Sequence, residues 1–239
     1  METWWFIVFE FAVGLALLAM SGRQPFPGPS RRYATILLII AALLFVGETA
    51  PNPTGPDVHM MILLVYGGLG LISGVNNMMN TREEVIVAPF AGILFSVSAT
   101  GLMAAQWDSL SKFEAYAAFG TIVIIGAGQT WLVFRGLLIG RLPLAWSKAG
   151  LVALQRGNFS GEHGAIECFE RAWDLEEEHL NPMAWYALEQ IHKFLGNEEQ
   201  SQHWGRRLAE SGGVDAMANE WKEIVDSSLD SQRVQSEEE

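Results

Sequence analysis

The chain has 239 residues, half of them hydrophobic, and a formal net charge of −12. Its single cysteine, Cys168, excludes an intrachain disulfide, and neither a CxxC pair nor a Cys/His zinc spacing is present. The charge is confined to one part: residues 1–148 carry eight acidic and eight basic side chains and residues 149–239 the other 19 and 7, so the second part is a poor partner for nucleic acid.

Five apolar runs occupy residues 1–140, at about 4–20, 33–50, 58–79, 85–106 and 115–138. Each approaches the roughly 20 residues that a helix needs to cross a bilayer. The first begins Met-Glu-Thr-Trp-Trp, has no basic stretch ahead of it and carries Glu10 within it, the pattern of a retained span rather than a cleaved leader. Arg23, Arg31 and Arg32 fall between the first and second runs, Arg82 between the third and fourth, and Arg135, Arg141 and Lys148 at or after the end of the fifth; the opposite side has only Lys112. The positive-inside rule therefore places the N-terminus outside and the C-terminal part in the cytoplasm of a multi-pass protein of the cell membrane. Aromatic belts agree, with Trp4, Trp5 and Trp107 at the outer boundary and Tyr33, Trp131 and Trp146 toward the inner one. Small residues at every fourth position of the fourth run (Ala88, Gly92, Ser96, Thr100, Ala104), and glycines in the third and fifth, predict close helix packing in an all-α bundle.

Glu10 lies about 9 Å below Trp4 at 1.5 Å of rise per residue. A carboxylate at that depth is costly and marks a functional position by default. Glu48, His59, Gln106 and Glu114 fall at the same outer level, one from each other run. Glu10, Glu48, His59 and Glu114 are thus a candidate ion or proton site; the alternative is that all but Glu10 are interfacial and that Glu10 is simply protonated or snorkels to the surface. The His59-Met60-Met61 run is compatible with a soft metal, but adjacent residues on a helix do not face one point, so no metal or other cofactor is assigned.

From residue 143 the pattern changes to amphipathic helical hairpins over 143–230. Trp146 and Trp185 each stand 11 residues before a glycine, Gly157 and Gly196, and each glycine is followed by Asn. Trp146, Gly150, Gly157 and Phe159, then Ala165, Phe169 and Ala172, make one unit; Trp185, Leu188, Gly196 and Ser201 make a second, in which Gly205 and Leu208 stand where the first has Phe and Ala. This resembles the tetratricopeptide repeat family, with the period stretched to 39 residues. Residues 214–230 then correspond to a capping helix, with Asp215 as its start, and the acidic tail 231–239 is polar enough to be disordered. Cys168 reads as a small core residue.

The resemblance implies a protein-binding face on the first helices of the two units, made by Ser147, Leu151, Leu154, Tyr186, Gln190, Lys193 and Phe194. It implies a membrane-anchored module that recruits or assembles a cytoplasmic or membrane protein, besides the lipid around the spans. The alternative is a small transporter or ion- or proton-coupled sensor using Glu10 and the outer polar residues. No nucleophile with a base, phosphate loop or paired His/Asp set points to an enzyme, which leaves an accessory subunit as the enzymic possibility.

Overall fold

A computed structural model describes residues 2–81, 83–134, 142–173 and 181–238, and among these every regular element is helical. Two compact units result, residues 1–140 and 141–239.

The first unit has five helices long and apolar enough to cross a membrane. They are α1 (Glu2–Ser21), α2 (Gly28–Glu48), α3 (Pro56–Asn76), α4 (Val87–Ala105) and α5 (Lys112–Val133). Proline at the first turn starts both α2 and α3, where its missing N–H costs nothing. A π-helical turn, Asn77–Thr81, prolongs α3. The expected spans recur with ends shifted by one to five residues; positions 135–138 of the fifth lie outside the described residues. Helices α1 and α2 form one hairpin and α3 and α4 another, with α1 also against α3 and α4.

Glycine sets the closeness of the second hairpin. A Cβ at Gly67 would meet the backbone of Ala91 and Phe95, and one at Gly74 the backbone of Ala88, so α3 and α4 touch main chain to main chain. The small-residue row of α4 is used over half its length: Ala88 and Gly92 are buried, whereas Thr100 and Ala104 are exposed. Gly120, Gly126 and Gly128 of α5 have open space beside them, so helix packing does not account for them. Nor does Tyr33 serve a lipid belt. It stacks on Tyr66 at 4.5 Å, and each hydroxyl donates to the other residue's carbonyl oxygen.

The second unit contains α6 (Pro143–Gln155), α7 (Ala165–Glu170), α8 (Asn181–Phe194), α9 (Glu198–Glu210) and α10 (Asn219–Glu238). Helices α6 and α7 pair, as do α8 and α9. The repeated Gly-Asn has a local cause. Gly157 and Gly196 adopt φ of +70° and +73°, and the N–H groups of Asn158 and Asn197 donate to carbonyls five residues back, at 3.0 and 2.8 Å. Both helices thus end in the same glycine-dependent stop. Trp146, expected at the lipid boundary, is instead 8% exposed, with His163 stacked on its ring and the Arg171 guanidinium 5.0 Å from the ring centre. Cys168 is fully buried and burial pushes its thiol up to about 11, which leaves it inert at neutral pH. Glu176, Glu177, Glu178 and His179 lie outside the described residues.

Two expectations fail at the C-terminus. Asp215 sits inside a short 3-10 turn, Gly213–Ala216, and the helix begins four residues later. The tail 231–238 continues α10 rather than being disordered, because it has local partners: Gln232 donates to the carbonyl of Gln155, and the Arg233 guanidinium lies 5.7 Å from the Phe194 ring centre.

Candidate proton site in the membrane unit

Helix α1 contributes Glu10, the end of α2 Glu48, and the first turn of α3 His59. These elements meet at one end of the bundle, and there the three side chains come together. His59 and Glu10 are fully buried, and the Glu48 side chain is 6% exposed. His59 Nε2 lies 3.2 Å from Glu48 Oε1, and His59 Nδ1 lies 3.7 Å from Glu10 Oε1. Thr3 and Thr54 both donate their hydroxyl protons to Glu48, at 3.0 and 2.9 Å. Phe6 stacks on the imidazole at 6.1 Å and closes one face.

The hydrogen-bond inventory fixes where protons sit. Thr54 spends its only donor on Glu48, so its oxygen, 3.2 Å from His59 Nε2, is an acceptor toward the ring. Nε2 faces two acceptors, Thr54 Oγ1 and Glu48 Oε1, and carries a hydrogen. On the other side Nδ1 faces Glu10, and neither Nδ1 nor either Glu10 oxygen has a hydrogen-bond partner. Nδ1 and the Glu10 carboxyl face each other across 3.7 Å, with room for one proton between them. A proton on Nδ1 or on Glu10 satisfies both after an approach of several tenths of an ångström. Glu48 and the two threonines hold the imidazole in register with Glu10.

No protein-family model, curated protein or solved structure matches the chain. The chemistry rests on the site alone.

Of the polar residues expected at this level, Glu10, Glu48 and His59 are brought together. Glu114 is not. It accepts from the Ser111 N–H at 2.8 Å while Ser111 Oγ accepts from its own N–H, a capping box that starts α5 on the surface. Gln106 is exposed. Met61 is half exposed while Met60 is buried, so the His-Met-Met run does not converge. Among the described residues no group of three His, Cys, Asp or Glu is arranged to hold a metal ion. Thr3, Thr54 and Phe6 were not singled out in the sequence; Thr54, in the Pro-rich link ahead of α3, is detectable only once the chain is folded back onto Glu48.

In the second unit, the face formed by α6 and α8 is already occupied by α10. Trp221, Val225 and Leu229, at successive fourth positions, are buried there in the core. The Tyr186 hydroxyl donates to Asp226 at 2.7 Å, and the Trp221 indole N–H to the Met183 carbonyl at 2.9 Å. Ser147, Leu154 and Tyr186 are consequently buried, Leu151, Gln190 and Phe194 half-buried, and Lys193 exposed. Three of the seven residues of the expected binding face are therefore internal.

Proposed function

We propose that this chain is a proton-responsive membrane protein, in which the Glu10–His59–Glu48 cluster takes up and releases a proton at the outer side of the membrane. The observation that carries this reading is the pairing of two buried, unpartnered acceptors, Nδ1 of His59 and the Glu10 carboxyl. Intramembrane ionisable groups that contact one another are how proton relays and sensors are built. A sensing role is favoured over conduction because Val13, Leu17, Leu37, Leu63 and Leu94 fill buried positions below the cluster, while the hydroxyls of Ser98, Tyr33 and Tyr66 are tied to backbone carbonyls. The arginine distribution orients the cluster outward and the acidic helical unit toward the cytoplasm.

The test is a pH-difference infrared spectrum of the reconstituted full chain. Glu10→Gln is expected to remove a carboxyl band and, with it, to alter the imidazole ring modes, the signature of two side chains that share a proton. Imidazole ring modes unchanged in that variant refute the cluster as one site.

A second reading concerns the helical unit. We infer that it is a tetratricopeptide-like interaction module whose remaining open edge, Gln190 and Lys193, meets a protein partner. The seat it gives to α10 supports this, since the α6/α8 face accepts an amphipathic helix. A protein that co-purifies with the detergent-solubilised chain should be lost from the Gln190→Ala, Lys193→Ala double variant. Undiminished capture by that variant counts against the module.

A further inference from the structure

A second buried carboxyl sits in the link between α3 and α4. Links normally run over the surface, yet Glu84, Val85 and Ile86 are 0%, 4% and 2% exposed. Several contacts hold the link inward. The Glu83 N–H donates to the Asn77 carbonyl at 3.1 Å, and the Val85 N–H donates to Oε1 of Gln24, beyond the end of α1, at 3.2 Å. Glu84 Oε2 accepts from the N–H groups of Ile86 and Val87, each at 3.2 Å. These are donors at the start of α4 that have no acceptor within the helix. The other oxygen, Oε1, is buried and without a hydrogen-bond partner.

We propose that Glu84 is a separate proton-binding site, at the opposite end of the membrane unit from Glu10, and that its proton occupancy sets how firmly the start of α4 is held. The ligand is a proton delivered from the aqueous phase beside the α3–α4 link, which the arginine distribution makes the cytoplasmic one.

The surroundings fit a titrating group. Burial pushes the Glu84 carboxyl up to about 7, against the opposing pull of the Val87 and Ile86 N–H groups and the Asn77 side chain. No cation among the described residues pairs with it: Arg23 on the link after α1, and Arg31 and Arg32 on α2, are exposed. Helix α4 carries no charged residue, α3 only the distant Asp57 and His59, and the adjoining Glu83 is half-buried. As an anion, Glu84 gives α4 two charge-assisted caps but leaves a negative oxygen in a dry pocket. As an acid it relieves that cost, and its bonds to Ile86 and Val87 become neutral ones.

Amide hydrogen exchange on the reconstituted full chain tests this. After correction for the intrinsic pH dependence of exchange, protection of residues 84–88 is expected to change about tenfold through neutral pH. It should be flat in Glu84→Gln and unchanged from wild type in Glu10→Gln. In the Glu10→Gln chain, a protonated-carboxyl infrared band should still vanish through neutral pH, and it should be missing from the Glu10→Gln, Glu84→Gln chain. Wild-type protection that does not respond to pH, a response that survives Glu84→Gln, or a carboxyl band lost only at the ordinary acidic range overturns the proposal. The proton site proposed at Glu10 stands or falls separately, on its own infrared bands.

Discussion

His59→Leu is expected to destabilise the membrane unit by about 3–5 kcal/mol, the range for breaking a buried ionisable set by removing one partner. The imidazole faces both carboxyls, at 3.2 Å from Glu48 and 3.7 Å from Glu10. Leucine fills a similar volume under Phe6, so the loss is electrostatic rather than a cavity effect. Glu48 keeps Thr3 and Thr54, but Glu10 is left with no polar neighbour in contact. The same logic predicts a large rescue. Replacing Glu10 and His59 together by leucine removes the uncompensated carboxyl along with its partner, and such wholesale apolar replacement is often neutral or stabilising. Unfolding of wild type, both single variants and the double variant in detergent closes the cycle, with an expected coupling of about 3 kcal/mol or more, because the double change recovers what His59→Leu alone loses. Single variants within about 0.5 kcal/mol of wild type would mean that the three groups do not interact.

Why the sequence points to this site but also includes Glu114 is a matter of helix geometry. The level of a residue along a span follows from counting 1.5 Å per residue, which is why Glu10, Glu48, His59, Gln106 and Glu114 are expected near one height. The rotation of each helix about its axis is decided by packing. Helix α5 packs chiefly on α4 and leaves Phe113, Tyr116, Phe119 and Ile124 exposed, which puts Glu114 outside the bundle. The glutamate is instead fixed locally, by the capping box it makes with Ser111. The helical hairpins were legible for the opposite reason, since the glycine stops at Gly157 and Gly196 are local backbone events. The place of α10 was not. Trp221, Val225 and Leu229 declare an apolar face at four-residue spacing, but spacing does not say which groove receives it. Glu84 entered the sequence reading only as one of eight acids, because nothing short of the folded link reveals that a loop carboxyl is fully enclosed.

That enclosure has a consequence for stability with pH, and its direction is opposite to that of a salt-bridged carboxylate. The folded chain holds the Glu84 proton up to about 7, while the unfolded chain releases it near 4.5, the ordinary value for this side chain. Between those values the native state binds more protons than the unfolded one, so the contribution of Glu84 is complete below about 4.5 and is lost as pH rises through about 7. At roughly 1.36 kcal/mol per unit the loss amounts to about 3 kcal/mol across the window. Glutamine is isosteric, keeps an acceptor for Ile86 and Val87, and does not titrate. Glu84→Gln is therefore expected to abolish that part of the decline, leaving the variant more stable than wild type above pH 7 by as much as about 3 kcal/mol. Chemical denaturation at a series of pH values measures it directly. A variant that tracks the wild type at every pH would show that water reaches the Glu84 carboxyl and that the link is not closed.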